Sequence, residues 1–189
     1  NNDVAAANAG AVYVYQRTGV VWALQQTLFA SDAASSDGFG DSVAISNATI
    51  VVGASDNDDG GSNSGSAYVF VFSEVMQQWI EQAKLVAADA SANDVFGSSV
   101  AISGETIIVG ASGQGTQGNN AGAVYVYARS GSVWTQQTKI YGSDTVTFDL
   151  FGTQVAIDGG TIAVSAIGDD DGGSSSGAVY LFTGAGNSW

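Results

Sequence analysis

Gly122-Ala123-Val124-Tyr125-Val126-Tyr127 is one of four copies of a short motif in this chain. Earlier copies read Gly10-Ala11-Val12-Tyr13-Val14-Tyr15 and Gly65-Ser66-Ala67-Tyr68-Val69-Phe70, and a later one reads Gly177-Ala178-Val179-Tyr180-Leu181-Phe182. The copies lie 55, 57 and 55 residues apart, and Trp22, Trp79, Trp134 and Trp189 keep the same beat. β-Branched and aromatic residues packed this densely favour a strand. Recurrence at this period marks a solenoid, a propeller or an array. Near-identical units rarely hold one special constellation, so a conventional catalytic site is not expected.

Working outward, the unit from Phe39 to Gly97 reads as four short strands. Ser42-Val43-Ala44-Ile45 alternates, and Ser46-Asn47-Ala48 turns the chain. Thr49-Ile50-Val51-Val52-Gly53-Ala54 is apolar on both faces, as a buried inner strand requires. A polar loop, Ser55 to Ser64, precedes the aromatic third strand, Ser66 to Phe72. Trp79 to Leu85 is a fourth strand with one polar face, and the acidic loop from Ala88 to Val95 leads to the next Phe96-Gly97. No helical period occurs. The fold class is therefore all-β, with propeller-like blades of four antiparallel strands and about 55 residues each. A β-solenoid is the rival, but its coils are usually shorter and lack these hairpin turns.

Phe39-Gly40, Phe96-Gly97 and Phe151-Gly152 each precede a Val-Ala-Ile, and Val52-Gly53-Ala54 and Val109-Gly110-Ala111 follow. This order resembles the FG-GAP repeat, the propeller blade of integrin α subunits and of many bacterial surface proteins. Essentially the whole chain shares it. The proline of the GAP element is replaced by Ser55 and Ser112, and the third copy reads Ser165-Ala166-Ile167. The resemblance implies a calcium loop between the first and second strands. Here those links are only Ser46-Asn47-Ala48, Ser103-Gly104-Glu105 and Asp158-Gly159-Gly160, too short to wrap a cation that takes six to eight oxygens.

Acids cluster instead after the second strand, at Asp56, Asp58 and Asp59 and again at Asp169, Asp170 and Asp171. Weak Ca²⁺ binding there is the one cofactor the sequence admits, against the simpler alternative of a solvated turn. A second set recurs before each Phe-Gly: Asp32 with Asp37, Asp89 with Asp94, Asp144 with Asp149. These pairs are expected to accept backbone N–H groups and shape their loops. The Tyr/Phe ladder is expected to pack between blades rather than to stack sugars, and the tryptophans to cover neighbouring strands. Lys84 and Lys139 fall at the same place in successive copies, which marks neither as special. Asn47-Ala48-Thr49 is an N-glycosylation sequon in an exposed turn.

Composition narrows the function. Eighteen acids against four bases give a net charge of −14, which neither nucleic acid nor an anionic lipid surface attracts. The chain has no Cys and no His, so disulfides, thiolate chemistry and the commonest general base are missing. No nucleophile stands with a base, and no enzymatic activity is expected. No apolar run approaches the ~18 residues that span a bilayer as a helix. An acidic, Cys-free chain rich in Gly, Ser, Thr and Asn reads as extracellular or at the cell surface.

By register, Asn1 matches Asp56 and Trp189 matches the start of a fourth strand. The expected division is a partial blade at 1–37 (strands three and four), blades at 38–94 and 95–149, and a partial blade at 150–189 (strands one to three). This is an incomplete ring, since propellers typically need about four to eight blades. The expected function is that of a non-enzymatic structural protein. It would join copies of itself by split-blade strand complementation into a ring or a filament. The alternative is an adhesion propeller whose loops grip a surface protein or a glycan.

Overall fold

The computed structural model describes residues 6–189. The start of the expected first partial blade, residues 1–5, lies outside the described residues. Thirteen strands and no helix are present among those described. A two-stranded sheet pairs β1 (Val12–Thr18) with β2 (Val21–Leu28). A four-stranded antiparallel sheet follows, of β3 (Ser42–Ser46), β4 (Thr49–Ala54), β5 (Ser66–Ser73) and β6 (Gln78–Leu85). The next repeats that order with β7 (Phe96–Ser103), β8 (Thr106–Ala111), β9 (Ala123–Ser130) and β10 (Val133–Ile140). The last holds β11 (Phe151–Asp158), β12 (Thr161–Ala166) and β13 (Ala178–Thr183). These are the up-and-down blades that the repeat implied, and the sheets do not close a ring.

Three apolar cores lie between successive sheets. The largest joins the back of the second sheet, through Val51, Ala67 and Val69, to the front of the third, through Phe96, Val100, Ile102 and Tyr125. β4 and β8 are thus covered on both faces. This explains why β4 is buried along its whole length and why its sequence lacks an alternating polar face. Each Phe of the Phe-Gly pair meets the ladder edge-on. Phe39, Phe96 and Phe151 stand 5.5, 5.3 and 5.3 Å from the rings of Tyr68, Tyr125 and Tyr180.

Glycine sets the closest approach between sheets. A Cβ on Gly53 would lie 1.9 Å from the carbonyl oxygen of Gly97, and one on Gly110 would lie 2.1 Å from that of Gly152. The Ser42 and Ser99 hydroxyls donate to those same two carbonyls, each at 2.7 Å. In the last sheet Ser165 takes the glycine's place and Gln154 the serine's, and Ser165 Oγ accepts the Gln154 N–H at 3.0 Å.

A second device lies on the outer strands. In each of the first three sheets the pairing slips by one residue, leaving Gln25, Gln82 or Gln137 as a bulge. Trp79 Nε1 donates to Gln25 Oε1 and Trp134 Nε1 to Gln82 Oε1, both at 3.0 Å and both across a sheet boundary. Trp79 and Trp134 therefore cover the neighbouring strand, as expected, and are also tied to its bulge, whereas Trp22 is 63% exposed. Trp189 donates instead to Gly186 of its own turn.

Candidate functional site

The polar chemistry of the molecule gathers where the loop before each Phe-Gly meets the third and fourth strands of the following sheet. At the first such node Tyr68 Oη donates to Asp32 Oδ1 at 2.8 Å. Lys84 Nζ donates to Asp32 Oδ2 at 2.6 Å, to Asn57 Oδ1 at 3.3 Å, and to Asp59. The second node repeats the plan. Tyr125 Oη donates to Asp89 Oδ1 at 2.9 Å, and Lys139 Nζ to Asp89 Oδ2 at 2.8 Å and Thr116 Oγ1 at 3.4 Å. Each lysine also lies over its tyrosine ring, 5.2 Å away for Lys84 and 5.0 Å for Lys139.

Burial works against the charge on Asp32 and Asp89. Hydrogen bonds from Lys84 and Tyr68, and from Lys139 and Tyr125, outweigh it and hold both carboxyls below the usual range. Burial, then the neighbouring carboxylate, pushes the Tyr68 and Tyr125 hydroxyls up, which keeps them protonated donors.

The third node is built differently. Tyr180 Oη stands 2.6 Å from Asp144 Oδ1 and 2.8 Å from Asp169 Oδ2, with one proton to share between them. No lysine is present there among the described residues. The charges of Asp169 and Asp144 push the Asp171 carboxyl up, with a smaller contribution from burial.

The paired aspartates thus divide their work. The second member shapes its own loop as expected. Asp37 accepts the Ala34 N–H at 2.8 Å, Asp94 that of Ser91 at 2.9 Å, and Asp149 that of Val146 at 2.7 Å. The first member reaches into the next sheet, which the reading of both as turn formers missed. A signal existed: the aspartate precedes its tyrosine by 36 residues in all three copies. The lysines, dismissed because they recur, are what recurrence selects.

The first acidic run is split among different partners, whereas Asp169 and Asp171 of the second gather with Asp144 at the third node. Asp58 accepts the Asn63 N–H at 2.7 Å, and Asp59 pairs with Lys84. Burial first, then Asp41 and Asp58, push the Asp56 carboxyl up. Asp169 belongs to the tyrosine node, while Asp170 is exposed. No group of three or more acids is arranged to hold a metal ion among the described residues. Asn47 sits exposed at the tip of the β3–β4 hairpin with a positive φ of 53°. A polar cleft lined by Asp89, Asp94, Gln114, Thr116, Asn119 and Asn120 opens beside the second node.

The FG-GAP repeat model matches residues 22–70, 79–127 and 134–182, well over half of the chain. Each matched unit starts on the outer strand of one sheet and ends on the third strand of the next. The sequence repeat is therefore offset from the blade, and each unit ties two sheets together covalently. No curated protein matches the chain.

Proposed function

Since the chain belongs to the FG-GAP repeat family, we propose that it is a non-enzymatic, extracellular structural module. It assembles by completing open propeller blades with strands from other molecules, copies of itself among them. Repeats of this family build propellers and are typical of extracellular or surface proteins. No helix among the described residues is long and apolar enough to cross a membrane.

One observation carries the reading. Val100 and Ile102 are 7% and 8% exposed, packed against the preceding sheet. Val43 and Ile45 hold the same places in the preceding repeat, yet are 56% and 62% exposed. They floor an apolar groove walled by Val12, Val14 and Tyr15 of β1. Among the described strands β1 pairs with β2 alone. An open strand edge above an aliphatic floor is the setting of β-strand addition, in which main-chain hydrogen bonds give affinity and side chains fix register.

Sedimentation velocity across a range of concentrations tests the reading. Mass is expected to rise above the monomer, and Val43→Asp combined with Ile45→Asp is expected to restore the monomer without unfolding it. A monomer at every concentration overturns self-assembly. The polar cleft favours a second reading, adhesion to a polar ligand such as a glycan. Binding of a glycan by a chain that stays monomeric would establish that role instead.

A further inference from the structure

The polar cleft beside the second node holds about 490 Å³, within the range of small-molecule sites. Its walls are the β6–β7 loop, which links the two four-stranded sheets, and the β8–β9 loop. Asp94 lines it and is 3% exposed. Its equivalent in the preceding repeat, Asp37, receives two donors, the Ala34 N–H and Asn57 Nδ2 at 3.3 Å. In the cleft Gln114 takes the place of Asn57 and turns back on its own loop, donating to Thr116 Oγ1 at 2.6 Å. Asp94 keeps only the Ser91 N–H on Oδ2, and its Oδ1 accepts no hydrogen bond among the described residues. Burial above all pushes this carboxyl up, the sign of an acceptor short of donors.

The rim of the cleft carries a strained aromatic. Phe148 has a φ of 71°, and its N–H donates to the carbonyl of Asn119, a cleft residue, at 2.9 Å. Ser36 and Asn93 hold the equivalent places with φ of 70° and 66°, a conformation that suits small polar residues far better than a bulky ring. All three positions are exposed, so the ring gains little burial in return. Phe148 therefore brings backbone strain and leaves 57% of its surface in water.

We propose that the cleft binds a neutral sugar, with Asp94 Oδ1 and the amides of Asn119 and Asn120 meeting its hydroxyls and Phe148 packing on its C–H face. The proposal rests on the second reading above, adhesion to a glycan, and adds the site and the kind of sugar. A pyranose ring combines hydroxyls that donate and accept with an apolar face, which matches convergent polar groups beside an exposed aromatic. A metal ion fits poorly. Gly113, Gly115 and Thr116 stand where the preceding loop carries Asp56, Asp58 and Asp59, and Asp89 is already engaged by Lys139 and Tyr125. An anionic sugar fits worse, because it would meet the Asp94 charge while Lys139 is committed to Asp89 and Thr116.

The test titrates the whole ¹⁵N-labelled chain with the methyl glycosides of glucose, galactose, mannose and N-acetylglucosamine. At least one is expected to shift the amides of Asp94, Asn119, Asn120 and Phe148 saturably, while methyl glucuronide shifts none of them. Asp94→Asn should weaken that binding about tenfold, the loss of one hydrogen bond to a charged acceptor. Asp37→Asn, its equivalent outside the cleft, should leave binding unchanged. Phe148→Asn, which installs the residue of the preceding repeat, should weaken binding by a similar factor while raising the urea midpoint, because the strain is relieved. Undiminished binding by Phe148→Asn overturns the role of the ring, and binding of the glucuronide as tight as that of the neutral sugars overturns the selectivity. Shifts confined to residues away from the cleft overturn this site and leave glycan adhesion standing. No shift with any of the four neutral sugars overturns the cleft as a sugar site.

Discussion

The sheet β7–β10 and the sheet β11–β13 share most of their sequence pattern and differ in their surroundings. In the first, Val124 and Val126 vanish into the core against β11–β13. In the second, Val179 and Leu181 hold the same places and lie largely in solvent. The same contrast separates the front of β7 from the front of β3. Burial in this molecule is a property of the junction between sheets. Stability in such an array is approximately a sum of repeat terms and nearest-neighbour terms, and here the neighbour term dominates the apolar contribution.

That conclusion fails if equivalent residues respond alike. Ile102→Ala should cost about 2–4 kcal/mol by urea denaturation, while Ile45→Ala, on the open face, should cost less than about 1 kcal/mol. Equal losses would mean that each sheet holds itself. The tyrosines give a smaller contrast. Tyr125→Phe removes the bond to Asp89 and should cost roughly 1–2 kcal/mol, whereas Tyr180→Phe, at the more open node, should stay within about 0.5 kcal/mol.

Charge sharpens the comparison further. Lys139→Met should cost roughly 0.5–1 kcal/mol at neutral pH, because its partner Asp89 is half exposed. The folded-state value of Asp89 is lowered, so its contribution is complete above the unfolded carboxylate range. It is lost as pH falls through the lowered value. The difference between wild type and Lys139→Met should therefore shrink on acidification, as urea midpoints measured at stepped pH would show. Asp171 has the opposite sign. Its raised carboxyl disfavours the charged form, so its penalty is present at neutral pH and is relieved as pH falls through the raised value. Asp171→Asn should raise the urea midpoint slightly at pH 7 and leave it unchanged in acid, the smallest effect of the four.

The blade itself was legible in the sequence, because period-2 patterning and turn residues are local signals. Thr49 to Ala54 reads as a doubly buried strand from its composition alone. The nodes were not, because Asp32 meets Lys84 across 52 residues and a sheet boundary. An aspartate beside turn residues has a sufficient local explanation, and local reasoning stopped there. The bulged glutamines were hidden for a related reason. A one-residue slip leaves no mark in composition, and Gln25 finds its purpose only when Trp79 arrives from the next sheet. Gly53 and Gly110 were legible as a motif, but their need for space comes from a carbonyl more than 40 residues away.

Ser165 gives the stack a grammar. At two junctions glycine leaves room for the next sheet's carbonyl oxygen, and the spacing of the sheets is the size of that gap. At the third equivalent position a side chain fills the gap and is tied to Gln154. A sheet laid there at the interior spacing would drive its carbonyl into a carbon atom. The step from sheet to sheet is therefore punctuated after β11–β13, and whatever lies against that face sits at a wider pitch or a different tilt.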